Sequence, residues 1–76
     1  MSSLPVVTGE QAIKAFSRLG FSVARVAGSH HIMKKQGHRY VLSVPVHSGR
    51  TVKAGTLRAL IRTAGTTPEE FAELLD

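Results

Sequence analysis

Apolar residues recur at helical intervals in an early stretch of the chain. Their spacing of three and four predicts a helix over about residues 9–19. Thr8 and Gln11 have the spacing of a capping box at its start, and Gly20 is a typical stop. The residues that form this apolar stripe are Ala12, Ile13, Phe16 and Leu19.

A second helical pattern runs from about Ala54 to Ala64 and ends at Gly65. Arg58 and Arg62 form its exposed stripe, and its buried stripe consists of Leu57, Leu60, Ile61 and Ala64. The segment Thr67-Pro68-Glu69-Glu70 then combines a threonine N-cap, proline at N1 and glutamate at N3. This segment predicts a short third helix that packs back through Phe71, Leu74 and Leu75.

Between the first two helices the pattern changes to an alternation typical of strands, over residues 21–26, 30–35 and 39–44. Gly28-Ser29 and Gln36-Gly37-His38 are the turns, and Pro45 is expected to end the third strand. The predicted fold class is therefore α+β, with the order α-β-β-β-α and a short C-terminal helix. The three strands form an antiparallel sheet with the helices on one face. We predict one domain over residues 1–76, with residues 1–7 as a flexible N-terminal extension.

Composition favours a soluble protein of the cytoplasm. The chain has 76 residues, of which 42% are hydrophobic and none is cysteine. No apolar run approaches the ~20 residues that span a bilayer. The start, MSSLPVV, lacks the basic and long apolar regions of a signal peptide.

The charges are distributed unevenly along the chain. Between residues 11 and 68 there are ten lysines and arginines, four histidines and no carboxylate. Such a segment has a positive field that ion pairs within it cannot neutralise, which favours a polyanionic partner such as nucleic acid. The five acidic residues are Glu10, Glu69, Glu70, Glu73 and Asp76.

Few kinds of catalysis are open to this sequence. Cysteine nucleophiles are absent, and the central segment has no carboxylate pair. His30 and His31 are neighbours on a strand and point to opposite faces, so we expect neither a shared metal ion nor a cofactor. The remaining option is catalysis by a histidine that is surrounded by cations, which suits metal-free RNA cleavage. The ordinary pKa of histidine lies near neutrality, and cations stabilise the phosphorane-like transition state.

The histidines and cations supply the candidate site residues. His30 is the first choice for the catalytic base, His31 the second, and His47 a candidate partner acid, whereas His38 is expected to be an exposed turn residue. Lys53 at the start of the second helix opposes the helix dipole unless it binds a phosphate. The candidate RNA-binding residues are Ser29, Lys34, Lys35, Arg50, Lys53 and Arg58.

Four short motifs together resemble the HicA toxins of bacterial toxin–antitoxin pairs: GSHH at 28–31, VPVH at 44–47, GTLRALIRTAG at 55–65 and the trailing TPEEFAELL. The resemblance implies a fold like that of a double-stranded-RNA-binding domain. It also implies a metal-independent endoribonuclease that cleaves mRNA, and a HicB antitoxin that covers the active site. The family's catalytic histidine matches His30, and in some members His31, so the choice between the two stays open.

Two alternatives to a ribonuclease have a physical basis. A non-catalytic double-stranded-RNA-binding module of the same fold would use the same cations but would not need GSHH. A helix-turn-helix DNA-binding protein is disfavoured, because Glu69, Glu70 and Glu73 would turn an acidic helix toward DNA. A purely structural interaction protein leaves the acid-free segment unexplained.

Overall fold

The computed structural model describes residues 3–76 and has the predicted α-β-β-β-α order followed by a short helix. The predicted extension begins with Met1 and Ser2, which lie outside the described residues. Its last residue, Val7, is 2% exposed and belongs to the core. The elements are α1 (Gly9–Arg18), β1 (Ser22–Ala27), β2 (His30–Lys34), β3 (Leu42–Pro45), α2 (Ala54–Ala64) and α3 (Pro68–Glu73).

The helix ends follow the signals in the sequence. The Thr8 hydroxyl accepts from the backbone N–H of Gln11, and the Gln11 side chain accepts from the N–H of Thr8, which completes the predicted capping box of α1. The helix α2 has the predicted bounds and ends at Gly65, whose φ of 79° lies in the left-handed region that glycine adopts without strain. At α3, the Thr67 hydroxyl caps the N–H of Glu70 as predicted.

The three strands form one antiparallel sheet in the order β1-β2-β3. In the pairing of β2 with β3, His31 lies opposite Val44 and Met33 lies opposite Leu42. Since Met33, Leu42 and Val44 are fully buried, these positions face the helices. His30 belongs to the alternate set of positions, which faces the uncovered side of the sheet.

The third strand differs from its prediction at both ends. It begins at Leu42 rather than residue 39, because residues 35–41 form a turn and a bend before pairing with β2 starts. Pro45 is inside the strand, opposite His30, rather than after it. Proline lacks a backbone N–H, but β3 is an edge strand and this position does not require that donor.

The core lies between the helices and the covered face of the sheet. Phe16 of α1 contacts Phe21 in an edge-to-face arrangement, with ring centroids 6.4 Å apart, and Phe71 of α3 at 5.0 Å. The predicted stripe of α2 is buried, whereas Ile13 of α1 and Leu19 at its C-cap are only partly buried. Within residues 3–76, none of the helices has the length and apolar character required to cross a bilayer.

Candidate active site

A cleft of about 390 Å³ opens where β3 ends and α2 begins. The start of β2, the end of β3, the loop of residues 46–53 and the first turn of α2 all contribute to it. Two histidines and two cations meet here although as many as 23 residues separate them in sequence. The lining residues are His30, Ser43, Pro45, His47, Arg50, Thr51, Val52, Lys53 and Thr56.

His30 is exposed and its ring is held by a neighbouring strand. The ring Nδ1 lies 3.1 Å from the hydroxyl oxygen of Ser43 on β3. When Nδ1–H donates to this hydroxyl, Nε2 carries the free lone pair and can accept a proton. The sheet therefore fixes the position of the histidine, and this arrangement is compatible with a base at Nε2.

Two backbone hydrogen bonds fix the segments that carry the histidines. The N–H of Val46 donates to the carbonyl of Ser29 at 2.7 Å, which joins the Gly-Ser turn to the end of β3. The N–H of Arg50 donates to the carbonyl of His47 at 2.9 Å and closes a turn. His47 and Arg50 are exposed within the cleft, on the loop that these two hydrogen bonds constrain.

The amino end of α2 forms one wall of the cleft. Lys53 is its N-cap, with no capping side-chain hydrogen bond, and the first turn contains no acidic residue. The first N–H groups of a helix are unsatisfied within the helix and carry partial positive charge. This wall, with the Lys53 and Arg50 side chains, is suited to a phosphate or another anion.

The other predicted site residues lie elsewhere. His31 faces the helices, half-buried, and its Nδ1 is buried without a hydrogen-bond partner. The exposed Lys34 is at the far end of β2, Lys35 has its ammonium 5.6 Å from the Phe21 ring centroid, and Arg58 lies along α2. Of the predicted site residues, His30, His47, Arg50 and Lys53 line the cleft. Ser29 is connected to it through the hydrogen bond between its carbonyl and the N–H of Val46.

The prediction that His38 is an exposed turn residue is wrong. Its ring is half-buried and contacts Phe21 edge to face at 5.2 Å, and its Nε2 lies 2.7 Å from the carbonyl of Thr63. The turn at Gly37 folds the ring against the last turn of α2, where a carbonyl without a helical partner accepts its N–H.

Sequence reasoning missed three hydroxyl residues of the cleft, Ser43, Thr51 and Thr56. Ser43 alternates with two apolar positions of β3, which marks it as a residue of the opposite face. Its contact with His30 depends on the register of β2 against β3, which no pattern within one strand encodes. Within residues 3–76, no three His, Asp or Glu side chains form a group that could hold a metal ion.

The model of the HicA toxins of bacterial toxin–antitoxin systems matches residues 9–66, which are 58 of the 76 residues. The chain belongs to the HicA toxin family. The match includes β2, β3 and α2 and so contains all the residues that line the cleft. Membership in a toxin–antitoxin family implies that an antitoxin is a partner of this HicA protein. A search of curated proteins found no match.

Proposed function

We propose that this HicA protein is a metal-independent endoribonuclease that cleaves mRNA in the cytoplasm, with His30 as the general base. The observation that carries the proposal is the cleft itself. It joins two histidines, two cations and an uncapped helix end, all without a carboxylate among its lining residues. These are the groups that an in-line attack on an RNA phosphodiester requires.

In the proposed reaction His30 Nε2 removes the proton of a ribose 2′-hydroxyl. The resulting oxygen attacks the adjacent phosphorus, and the bond from phosphorus to the 5′-oxygen of the next nucleotide breaks. His47, in its protonated form, donates a proton to that leaving oxygen. The products are a 2′,3′-cyclic phosphate and a free 5′-hydroxyl, so protons and bonds balance without a metal ion or cofactor.

Arg50, Lys53 and the amino end of α2 stabilise the phosphoryl oxygens, whose negative charge increases in the transition state. Ser43 acts as a positioning residue, because its hydroxyl orients the His30 ring through Nδ1. His31 is less suited to the base, since its side chain lies on the face opposite to the cleft.

We further propose that a HicB-like antitoxin neutralises this protein by covering the cleft. The cations that would bind RNA would then bind carboxylates of the antitoxin instead. The antitoxin and mRNA would compete for His47, Arg50 and Lys53 of the toxin.

The test compares His30→Ala, His31→Ala and His47→Ala with the unmodified protein in timed cleavage of one RNA. Circular dichroism first establishes that each variant is folded. We expect His30→Ala to lower the rate by about 10²–10⁴-fold, the usual contribution of a general base. His47→Ala should have a smaller effect and His31→Ala the smallest, and cleavage should persist in excess EDTA.

Ser43→Ala separates positioning from direct participation. Loss of one neutral hydrogen bond costs about 0.5–1.5 kcal/mol, so the rate should fall about 2- to 10-fold with RNA binding unchanged. If His30→Ala cleaves RNA at the wild-type rate and His31→Ala is inactive, the general base is His31 rather than His30. Normal cleavage by both would refute the mechanism. RNA binding without any cleavage by the unmodified protein would favour the non-catalytic RNA-binding module.

A further inference from the structure

A second cleft, of about 460 Å³, lies at the opposite end of α2. It is formed where the connection between β2 and β3 meets the last turn of α2. The catalytic proposal uses none of its residues. Its lining residues are His38, Tyr40, Arg62, Thr63 and Gly65.

The central feature of this second cleft is an exposed aromatic ring among cations. Tyr40 is 57% exposed. The guanidinium carbon of Arg39 lies 5.6 Å from its ring centroid, and the exposed Arg62 lines the cleft beside it. An accessible aromatic ring with adjacent cations is the arrangement that single-stranded nucleic acid recognises, by base stacking and phosphate contact.

The Tyr40 ring is also held in place by contact with the ring of His38. His38 donates from Nε2 to the Thr63 carbonyl at 2.7 Å, which ties the connection between the strands to α2. The His38 ring is edge to face with both Phe21, at 5.2 Å, and Tyr40, at 6.5 Å. Because Tyr40 rests on an anchored ring, a base that stacks on it orders less of the protein than it would on a free loop.

The two clefts are separated by a distance that one RNA strand can span. The helix α2 has 11 residues, so its two ends are about 16 Å apart at 1.5 Å per residue. Arg58 is exposed on α2 one turn before Arg62 and therefore lies on the same side of the helix as Arg62. At ~3.4 Å between stacked nucleotides, the separation corresponds to about five nucleotides.

We propose that the cleft at Tyr40 is a second RNA subsite, in which an unpaired base stacks on Tyr40 while Arg62 and Arg39 bind the flanking phosphates. This inference rests on the proposed function, since the RNA reaches this cleft from the catalytic one along α2. The ligand is single-stranded RNA, because stacking on a side chain requires a base that is free of its neighbours. The subsite contributes to the affinity for RNA, and cleavage takes place in the first cleft.

The chain contains one tyrosine and no tryptophan, so intrinsic fluorescence reports on Tyr40 alone. The probe is an eight-nucleotide single-stranded RNA with 2′-O-methyl groups, which the protein cannot cleave through the 2′-oxygen. We expect this RNA to quench the tyrosine emission on binding. A strand of equal length without bases, and the same sequence annealed into a duplex, should leave the emission nearly unchanged.

Anisotropy of the labelled octamer then measures affinity. Tyr40→Ala should raise Kd by about 5- to 100-fold, the usual range for loss of one stacking side chain. Tyr40→Phe keeps the ring and should bind as the unmodified protein does. Arg62→Gln should reduce the salt slope by about 0.7, the value for one phosphate of a single strand. Lys14→Gln, which removes an equal charge on α1, is the matched control and should leave the slope unchanged.

The outcomes separate this inference from the proposed function. If RNA binds and is cleaved but Tyr40→Ala binds it equally well and the emission stays constant, the subsite is refuted and the ribonuclease stands. Quenching and weaker binding by Tyr40→Ala, with no cleavage of unmodified RNA, would support the subsite and refute the ribonuclease. Quenching by the antitoxin and not by RNA would overturn the proposal and make this cleft a protein interface.

Discussion

The amino ends of α1 and α2 are close in the fold but are built in opposite ways. At α1, Thr8 and Gln11 form a complete capping box, and Glu10 adds a favourable negative charge in the first turn. At α2, Lys53 occupies the N-cap without a side-chain hydrogen bond, and no acidic residue follows in the first turn. One helix end is satisfied by its own sequence, and the other offers its N–H groups and positive charge to an external anion.

The exposed basic residues of α1 and α2 show the same contrast as the amino ends of these helices. Asp76 binds both basic residues of α1, through an ion pair with Lys14 and a contact of 2.6 Å with Arg18. Arg58 and Arg62 of α2 are instead exposed on one side of the helix, and Arg62 lines the second cleft. The helix α1 thus uses its charges to hold the C-terminal segment, whereas α2 carries its charges on an exposed side. The difference is consistent with the proposal that α2 binds RNA, whereas α1 serves the stability of the fold.

The substitution Lys53→Asp should have the largest effect on the difference between the amino ends of α1 and α2. An aspartate at the N-cap would supply the missing cap and stabilise the fold by about 0.5–2 kcal/mol. It would also remove a charged hydrogen bond to phosphate worth about 1.5–3 kcal/mol, so RNA affinity should fall by about 10- to 100-fold. Urea denaturation and RNA anisotropy on the same preparation measure the two opposite effects.

Lys53→Ser is the control for this substitution, since serine caps the helix but adds no negative charge. It should stabilise the fold to a similar degree and weaken RNA binding less, with a salt slope lower by about 0.7. Unchanged affinity and an unchanged slope in both variants would mean that Lys53 does not contact phosphate.

Gly9→Ala and Gly55→Ala form a matched pair in the first turns of the two helices. A Cβ at Gly9 would collide with the Pro45 carbonyl and lie 2.9 Å from the Val46 Cα, whereas one at Gly55 would meet nothing within 4 Å. We expect Gly9→Ala to destabilise the fold by about 1–3 kcal/mol. Gly55→Ala should stabilise it by up to about 1 kcal/mol, because alanine is the better helix former. Urea denaturation measures both, and equal effects of the same sign would contradict the difference in packing.

The smallest expected effect is the contribution of Asp76 to stability at low pH. Hydrogen bonds from Lys14 and Arg18 lower the pKa of Asp76 below its ordinary value of 3.8. A carboxylate with a depressed pKa in the folded state stabilises the protein above pH 3.8, and this contribution is lost as the pH falls through the lowered value. Asp76→Asn should therefore be slightly less stable than the unmodified protein at pH 7, and this difference should shrink as the pH falls below 3.8. The effect is small because the pair is exposed to solvent. A stability difference that stays constant as the pH falls would exclude the ion pairs as its cause.

The sequence by itself determined the helices and the fold class, because their signals are local. Caps at Thr8 and Thr67, the stop at Gly65 and the apolar stripe of α2 act within a few residues, and each predicted end lies close to the observed one. The start of β3 was predicted three residues early. Arg39 and Tyr40 form a bend instead, next to His38, which is hydrogen-bonded to α2.

Only the tertiary structure decided which residues share a site. Alternation along β2 predicted that His30 and His31 point to opposite faces, but the register with β3 assigned His31 to the covered face and His30 to Ser43. It also brought His47 and Lys53 to one cleft and left Tyr40 exposed at the other. Local patterns fix the conformation of a segment through short-range hydrogen bonds and burial. Proximity between distant segments depends on sheet register and on the packing of helices against the sheet, which the whole chain determines together.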